Sequence, residues 1–112
     1  MQHDREYLLD MLEAAKIIND YIGVKEKDEF LQDNFCQDAV IRRLAIIGEA
    51  ANRISEQTRT RVSEIPWVEI IGMRNRLIHQ YDDLDINIVW ETINKDIPIL
   101  ITELEKIVPL AG

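Results

Sequence analysis

The chain has 112 residues, with 13 Lys and Arg against 21 Asp and Glu, a net charge of −8. That length suits one domain, residues 1–112, with a core large enough to need no staples. The lone Cys36 excludes an internal disulfide and any cysteine-built metal centre, and the acidic total argues against a nucleic-acid surface spread over the whole molecule.

The opening MQHDREYLLD is charged rather than apolar, so no signal segment is expected there. A first helix is predicted from Asp4 to Ile22, where Leu8, Met11, Leu12, Ala15, Ile18 and Ile22 follow one helical face. Gly23 is its expected stop. A polar connection follows, with a short helical turn at Asp28–Gln32 capped by Asp28.

The second helix is predicted from Asn34 to Thr60 without a break. Val40, Leu44, Ile47, Ala51 and Ile54 form a stripe close to a heptad. Ala45, Gly48 and Ala51 are small enough to let another helix approach. A third helix should start near Ser63–Pro66, since proline is tolerated in a first turn. Trp67, Ile70, Ile71, Leu77 and Ile78 mark its buried face. A fourth is expected after DDLD, with Asp85 as N-cap and an apolar stripe from Ile86 to Val108. Pro98 falls inside it and should kink it. Strand-type alternation is absent, so the reading is all-α: an up-and-down four-helix bundle with one short extra turn. No apolar run reaches the roughly 18 residues of a membrane span. A reducing, cytoplasmic location is expected.

Charge is unevenly distributed along these helices. Between Ala39 and His79 lie seven arginines and four acids, whereas the remainder holds six basic and seventeen acidic residues. Every basic residue in that middle is arginine, whose planar fork suits phosphate.

The segment RNRLIHQY, residues 74–81, concentrates the chemistry. Arg74 lies two turns after Trp67, on the apolar stripe. A guanidinium there needs a carboxylate partner, with Glu49 of the second helix a candidate, or a cleft that a phosphate can enter. His79 stands about 140° from Arg74 on an ideal helix. The two converge only if the helix loosens near His79 or a second chain completes the site. Arginine can hold a phosphate and offset charge in the transition state. Histidine can take or give a proton near neutral pH, and Asn75 can add amide hydrogen bonds. His3 and His79 lack ligand spacing, so no metal or cofactor is expected. Asp82, Asp83 and Asp85 are more simply read as a helix start than as a magnesium site.

RNRLIHQY has the form R-x4-H-x-Y. It is preceded by IPWVEIIGMRN and, upstream, by VIRRLAIIGEAANRIS. Together with YLLDMLEAAKII and VWETINKDIPIL, these stretches resemble the HepT-like family of the HEPN superfamily over nearly the whole chain. The resemblance implies a helical homodimer with its motifs near the dimer cleft. It implies a metal-independent endoribonuclease toxin acting on RNA, with a 2′,3′-cyclic phosphate product. Its partner would be an MntA-type nucleotidyltransferase antitoxin, in a larger hetero-oligomer with it, that silences the toxin by transferring AMP to a tyrosine. Carried over, Arg74 and His79 are catalytic, Asn75 supports them and Tyr81 is the modification site. Where many relatives place glycine and aromatic residues after the tyrosine, this chain has Asp82 and Asp83. One alternative is a non-catalytic nucleotide- or partner-binding module of a nucleotidyltransferase complex. Another is a structural dimer with Arg74 in an ion pair.

Overall fold

A computed structural model describes residues 4–108, and every regular element in that range is helical. The order is α1 (Asp4–Ile22), α2 (Lys27–Leu31), α3 (Asn34–Asn52), α4 (Glu56–Arg61), α5 (Trp67–His79), a 3₁₀ turn (Tyr81–Asp83) and α6 (Ile86–Ile107). Helix α1 packs on both α3 and α6, and α3 carries α5 on its other side. The core lies along these contacts. Met11, Leu12, Ile18, Val40, Ile47, Val89, Ile97 and Leu100 are all but fully buried. Each such side chain stabilises the fold by about 1.5–3 kcal/mol relative to exposure. Phe30 of α2 is also buried and stacks on Trp90 of α6, ring centroids 5.2 Å apart.

The helix ends follow from local chemistry. Gly23 adopts φ 54°, and its N–H donates to the Asn19 carbonyl, closing α1. The short helix α2 starts at Lys27 rather than Asp28, because the Glu29 carboxylate accepts from the Glu26 N–H one turn earlier. Asp33 caps α3 by accepting from the Cys36 N–H. Helix α5 starts directly after Pro66, and the Trp67 indole N–H donates to the Val62 carbonyl. Asp85 caps α6 as expected, accepting from the Asn87 N–H. The α6 helix runs unbroken through Pro98. No helix among the described residues is long and apolar enough to cross a membrane.

The expected helix from Asn34 to Thr60 is in fact two. It stops at Asn52 and restarts at Glu56. The cause lies at the other end of the chain, in Asp4, which is buried. Its carboxylate accepts from the Ser55 N–H at 3.1 Å, the Ser55 hydroxyl at 2.6 Å and the Thr58 hydroxyl at 2.6 Å. Ser55 meanwhile caps α4 by accepting from the Thr58 N–H. Arg59 completes the corner, its Nη2 donating to the Ala51 and Asn52 carbonyls at the end of α3. Periodicity ran across the corner because Ile54 and Val62 are buried on either side of it.

Burial pushes the Asp4 carboxyl up, but its hydrogen bonds outweigh that and hold it well below the usual carboxylate range. The charged form is therefore the one that stabilises the fold. Asp4→Ala is expected to cost about 2–4 kcal/mol at neutral pH, since it strands buried donors of Ser55 and Thr58. The contribution is full above the unfolded carboxyl pKa of about 3.9 and fades as pH falls through the lower folded value. Urea denaturation of both proteins at pH 7 and pH 2 checks this; an undiminished gap at pH 2 contradicts it.

Candidate active site

Helix α5 carries the residues singled out from sequence. Trp67, Ile70, Met73 and Leu77 form its buried face. Ile71 is half-buried, and Ile78, expected in the core, is 52% exposed. Ile78 follows Leu77 by 100°, which takes it off the face that α3 covers, while Met73 fills the space that the stripe left unassigned.

Arg74 lies at the edge of this face, half-buried against α3. Its Nε donates to Glu49 Oε2 at 3.0 Å and its Nη2 approaches the same oxygen at 2.7 Å. Its Nη1 donates to Asn75 Oδ1 at 3.1 Å. The Glu49 ion pair anticipated for this position is thus present. The other Glu49 oxygen approaches Arg53 at 3.4 Å. A guanidinium has five N–H donors. With one each from Nε, Nη1 and Nη2 engaged, one N–H on each terminal nitrogen remains. A carboxylate that holds an arginine this way fixes its plane without exhausting it.

The seat for Arg74 is Gly48. A Cβ at this position would collide with Arg74 Cβ and Cγ and come within 3.2 Å of the Ile70 carbonyl. The small residue noted from sequence is what lets α5 lie against α3 here, with Glu49 next to it on the chain.

His79 is the last residue of α5 and is exposed, as is Asn75. The helix does not loosen before His79, so one of the two expected routes to convergence with Arg74 is not taken. Tyr81 opens the 3₁₀ turn; its side chain lies outside what the structure describes. Asp82 and Asp83 are exposed in that turn. Hydrogen bonds from the Asn87 backbone and side chain hold the Asp85 carboxyl below its ordinary value, as a cap requires. Among the described residues no three His, Cys, Asp or Glu side chains cluster as metal ligands.

Beside Glu49 opens a groove of about 520 Å³ between α1, α3 and α5, lined by Tyr7, Ile41, Ala45, Ile46, Leu77 and Ile78 among others. It is mostly apolar, and it reaches the exposed Ile78, one residue before His79. A second groove, of about 360 Å³, lies between α5 and α6. Its buried Asp96 was not picked out from sequence. The signal was there: Asp96 interrupts the stripe Val89, Ile93, Ile97, Leu100 as Arg74 interrupts that of α5.

The geometry thus offers a fixed arginine with donors to spare and an exposed histidine at the end of the same helix. Comparison with known proteins identifies the family. Residues 11–107 match the family model described as ribonuclease HepT-like. The chain is 40% identical over 103 residues to a probable ribonuclease HepT of Thermococcus cleftensis, covering 92% of this chain and 94% of the relative. It is 38% identical over 106 residues to a candidate RNase of Caldanaerobacter subterraneus, covering 95% and 91%. A Methanocaldococcus jannaschii protein named for both a gamma-glutamylcyclotransferase and a candidate RNase is 43% identical over 101 residues. That match covers 90% of this chain but only 46% of the relative, so the chain spans about half of that longer protein. No solved structure matches significantly. The chain belongs to the HepT-like ribonuclease family.

Proposed function

We propose that the chain is a metal-independent endoribonuclease, the toxin of a two-gene system, built as an up-and-down four-helix bundle that works as a homodimer. The observation that carries this reading is Arg74, held by Glu49 and Asn75 with N–H donors left over, on the helix that ends in an exposed His79.

In the reaction, His79 takes the proton of a ribose 2′-hydroxyl. The 2′-oxygen attacks the adjacent phosphorus, and the bond from phosphorus to the 5′-oxygen of the next nucleotide breaks. That oxygen leaves with the proton that His79 had taken up, giving a 5′-hydroxyl and a 2′,3′-cyclic phosphate and restoring the neutral imidazole. Arg74 holds the phosphate and offsets the charge that builds on its oxygens. Because Arg74 and His79 diverge by about 140° along an unbroken helix, the complete site combines two copies. The apolar groove beside Ile78 is the surface that the second copy covers. An MntA-type nucleotidyltransferase would silence the enzyme by placing AMP on Tyr81, whose added bulk and negative charge repel RNA phosphate.

The tests are direct. Purified, unmodified chain should cut RNA in the presence of a chelator and leave cyclic phosphate ends. Ile78→Glu should yield a monomer by light scattering and lose cleavage. Co-expression with a neighbouring nucleotidyltransferase should add mass in AMP-sized steps, abolished by Tyr81→Phe. A chain that cuts no RNA under any of these conditions sinks the reading. The second reading, a non-catalytic partner-binding module, is favoured by the net charge of −8. It predicts partner binding unaffected by His79→Ala and no growth arrest on expression.

A further inference from the structure

The groove between α5 and α6 has no part in the site above, yet it holds a largely buried carboxylate. Asp96 lines it and is only 6% exposed. No described residue donates a hydrogen bond to it or pairs with it, and its oxygens are not sealed from solvent, so they open into the groove where a ligand can reach them. Burial and the nearby charge of Glu69 push its carboxyl above the ordinary range, against the pull of Lys95. Asparagine or leucine would be easier to accommodate. The retained carboxylate points to a donor-rich ligand.

The rest of the groove describes that ligand. Val68, Met73 and Ile88 supply apolar walls, and Thr92 and a second carboxylate, Glu69, line the groove with them. The space beside Gly72 is open, since a Cβ there would meet nothing within 4 Å. Arg76 stands at the lining with no partner for its guanidinium among the described residues. The ligand therefore needs adjacent N–H donors for Asp96, an apolar body and an anionic group for Arg76. A simple cation would balance the carboxylate's charge but has neither the N–H donors nor the apolar body nor the anionic group. Guanine meets the first two, because its N1–H and N2–H lie side by side and fit the two oxygens of one carboxylate. Adenine and cytosine set a ring acceptor beside their amino group, and uracil sets carbonyls beside its N–H; all three turn an acceptor toward Asp96. The phosphate of the same nucleotide meets the third demand through Arg76. His79 follows Arg76 by one turn, about 60° away on an ideal helix, so a phosphate held there lies toward the histidine end of α5.

We propose that the α5–α6 groove is a guanosine subsite, in which Asp96 accepts from the guanine N1–H and N2–H and Arg76 holds the adjacent phosphate. As a subsite for substrate selection, it rests on the ribonuclease reading; as a nucleotide site, it can be tested without it. The full chain carrying His79→Ala and labelled with ¹⁵N is titrated with 5′-GMP, 5′-AMP, 5′-IMP and arginine amide. GMP should move the amides of Gly72, Arg76 and Asp96, with AMP and IMP at least about tenfold weaker, as loss of one good base contact implies. Asp96→Asn should erase that preference while raising thermal stability, and Gly72→Val should block the groove. In parallel, the wild-type chain should cut oligoribonucleotides beside guanosine, and Asp96→Asn should cut without that bias. Equal affinity for GMP and AMP, a preference that survives Asp96→Asn, or arginine amide binding in place of GMP would overturn the proposal. If the wild type cuts RNA without base preference, the subsite fails and the ribonuclease stands. If it cuts nothing yet GMP binds here, the ribonuclease reading fails and the nucleotide site stands.

Discussion

His79→Ala is expected to lower RNA cleavage by about 10²–10⁴-fold, the usual worth of a general acid or base in the transition state, while leaving the fold unchanged. The second half of that expectation follows from exposure: His79 ends α5 at the surface, so its removal opens no cavity. Initial rates on a defined oligoribonucleotide in chelator, alongside thermal melts of both proteins, separate the two halves. A variant that melts like the wild type and still cuts at the wild-type rate removes His79 from the mechanism. Arg74 cannot be tested so cleanly. Its loss would remove one of the two partners of Glu49 and leave a gap over Gly48, so stability and activity would fall together.

Gly48→Ala gives the larger structural effect, and its sign is not the obvious one. In a helix interior alanine is favoured over glycine by about 1 kcal/mol. At Gly48 the new methyl would strike the root of the Arg74 side chain, which cannot swing away as a side-chain tip can, and would crowd the Ile70 carbonyl. Overpacking of this kind costs about 1–3 kcal/mol or more, and separating α3 from α5 adds to it. A net loss of roughly 2–3 kcal/mol is expected, a fall in Tm of about 10 °C or more, with cleavage lost because Arg74 leaves Glu49. Gly72→Ala is the internal control. It lies in the same α5 helix, a Cβ there meets nothing within 4 Å, and it should stabilise by about 1 kcal/mol. If both variants shift Tm in the same direction, the packing argument is wrong.

These residues also show what the sequence could and could not disclose. The ends of α1 and α6 were legible because Gly23 and Asp85 act within a few residues of themselves. The Glu49 ion pair was legible because a charge on an apolar stripe demands a partner, and the stripe of α3 offered few. The α3–α4 corner was not, because the carboxylate that holds it belongs to Asp4, far away in the chain. Ile78 was misplaced because an apolar residue reads the same whether it faces the core or an exposed surface. Asp96 was overlooked although it breaks its stripe as plainly as Arg74 does; no motif drew the eye to it. Family membership itself was legible, carried by R-x4-H-x-Y with its flanks in order.

The Asp4 contact also constrains the order in which the molecule assembles. Its hydrogen bonds join residues 51 and 54 apart in sequence, so they form only once α1 has reached α3. Until then the helical periodicity of residues 34–60 favours one straight rod, so the corner at Ser55 is expected to form late. A contact made after the rate-limiting barrier governs how fast a protein comes apart, not how fast it forms. The Asp4→Ala variant should therefore refold at close to the wild-type rate and unfold many times faster; a slowed refolding limb would place the corner early instead.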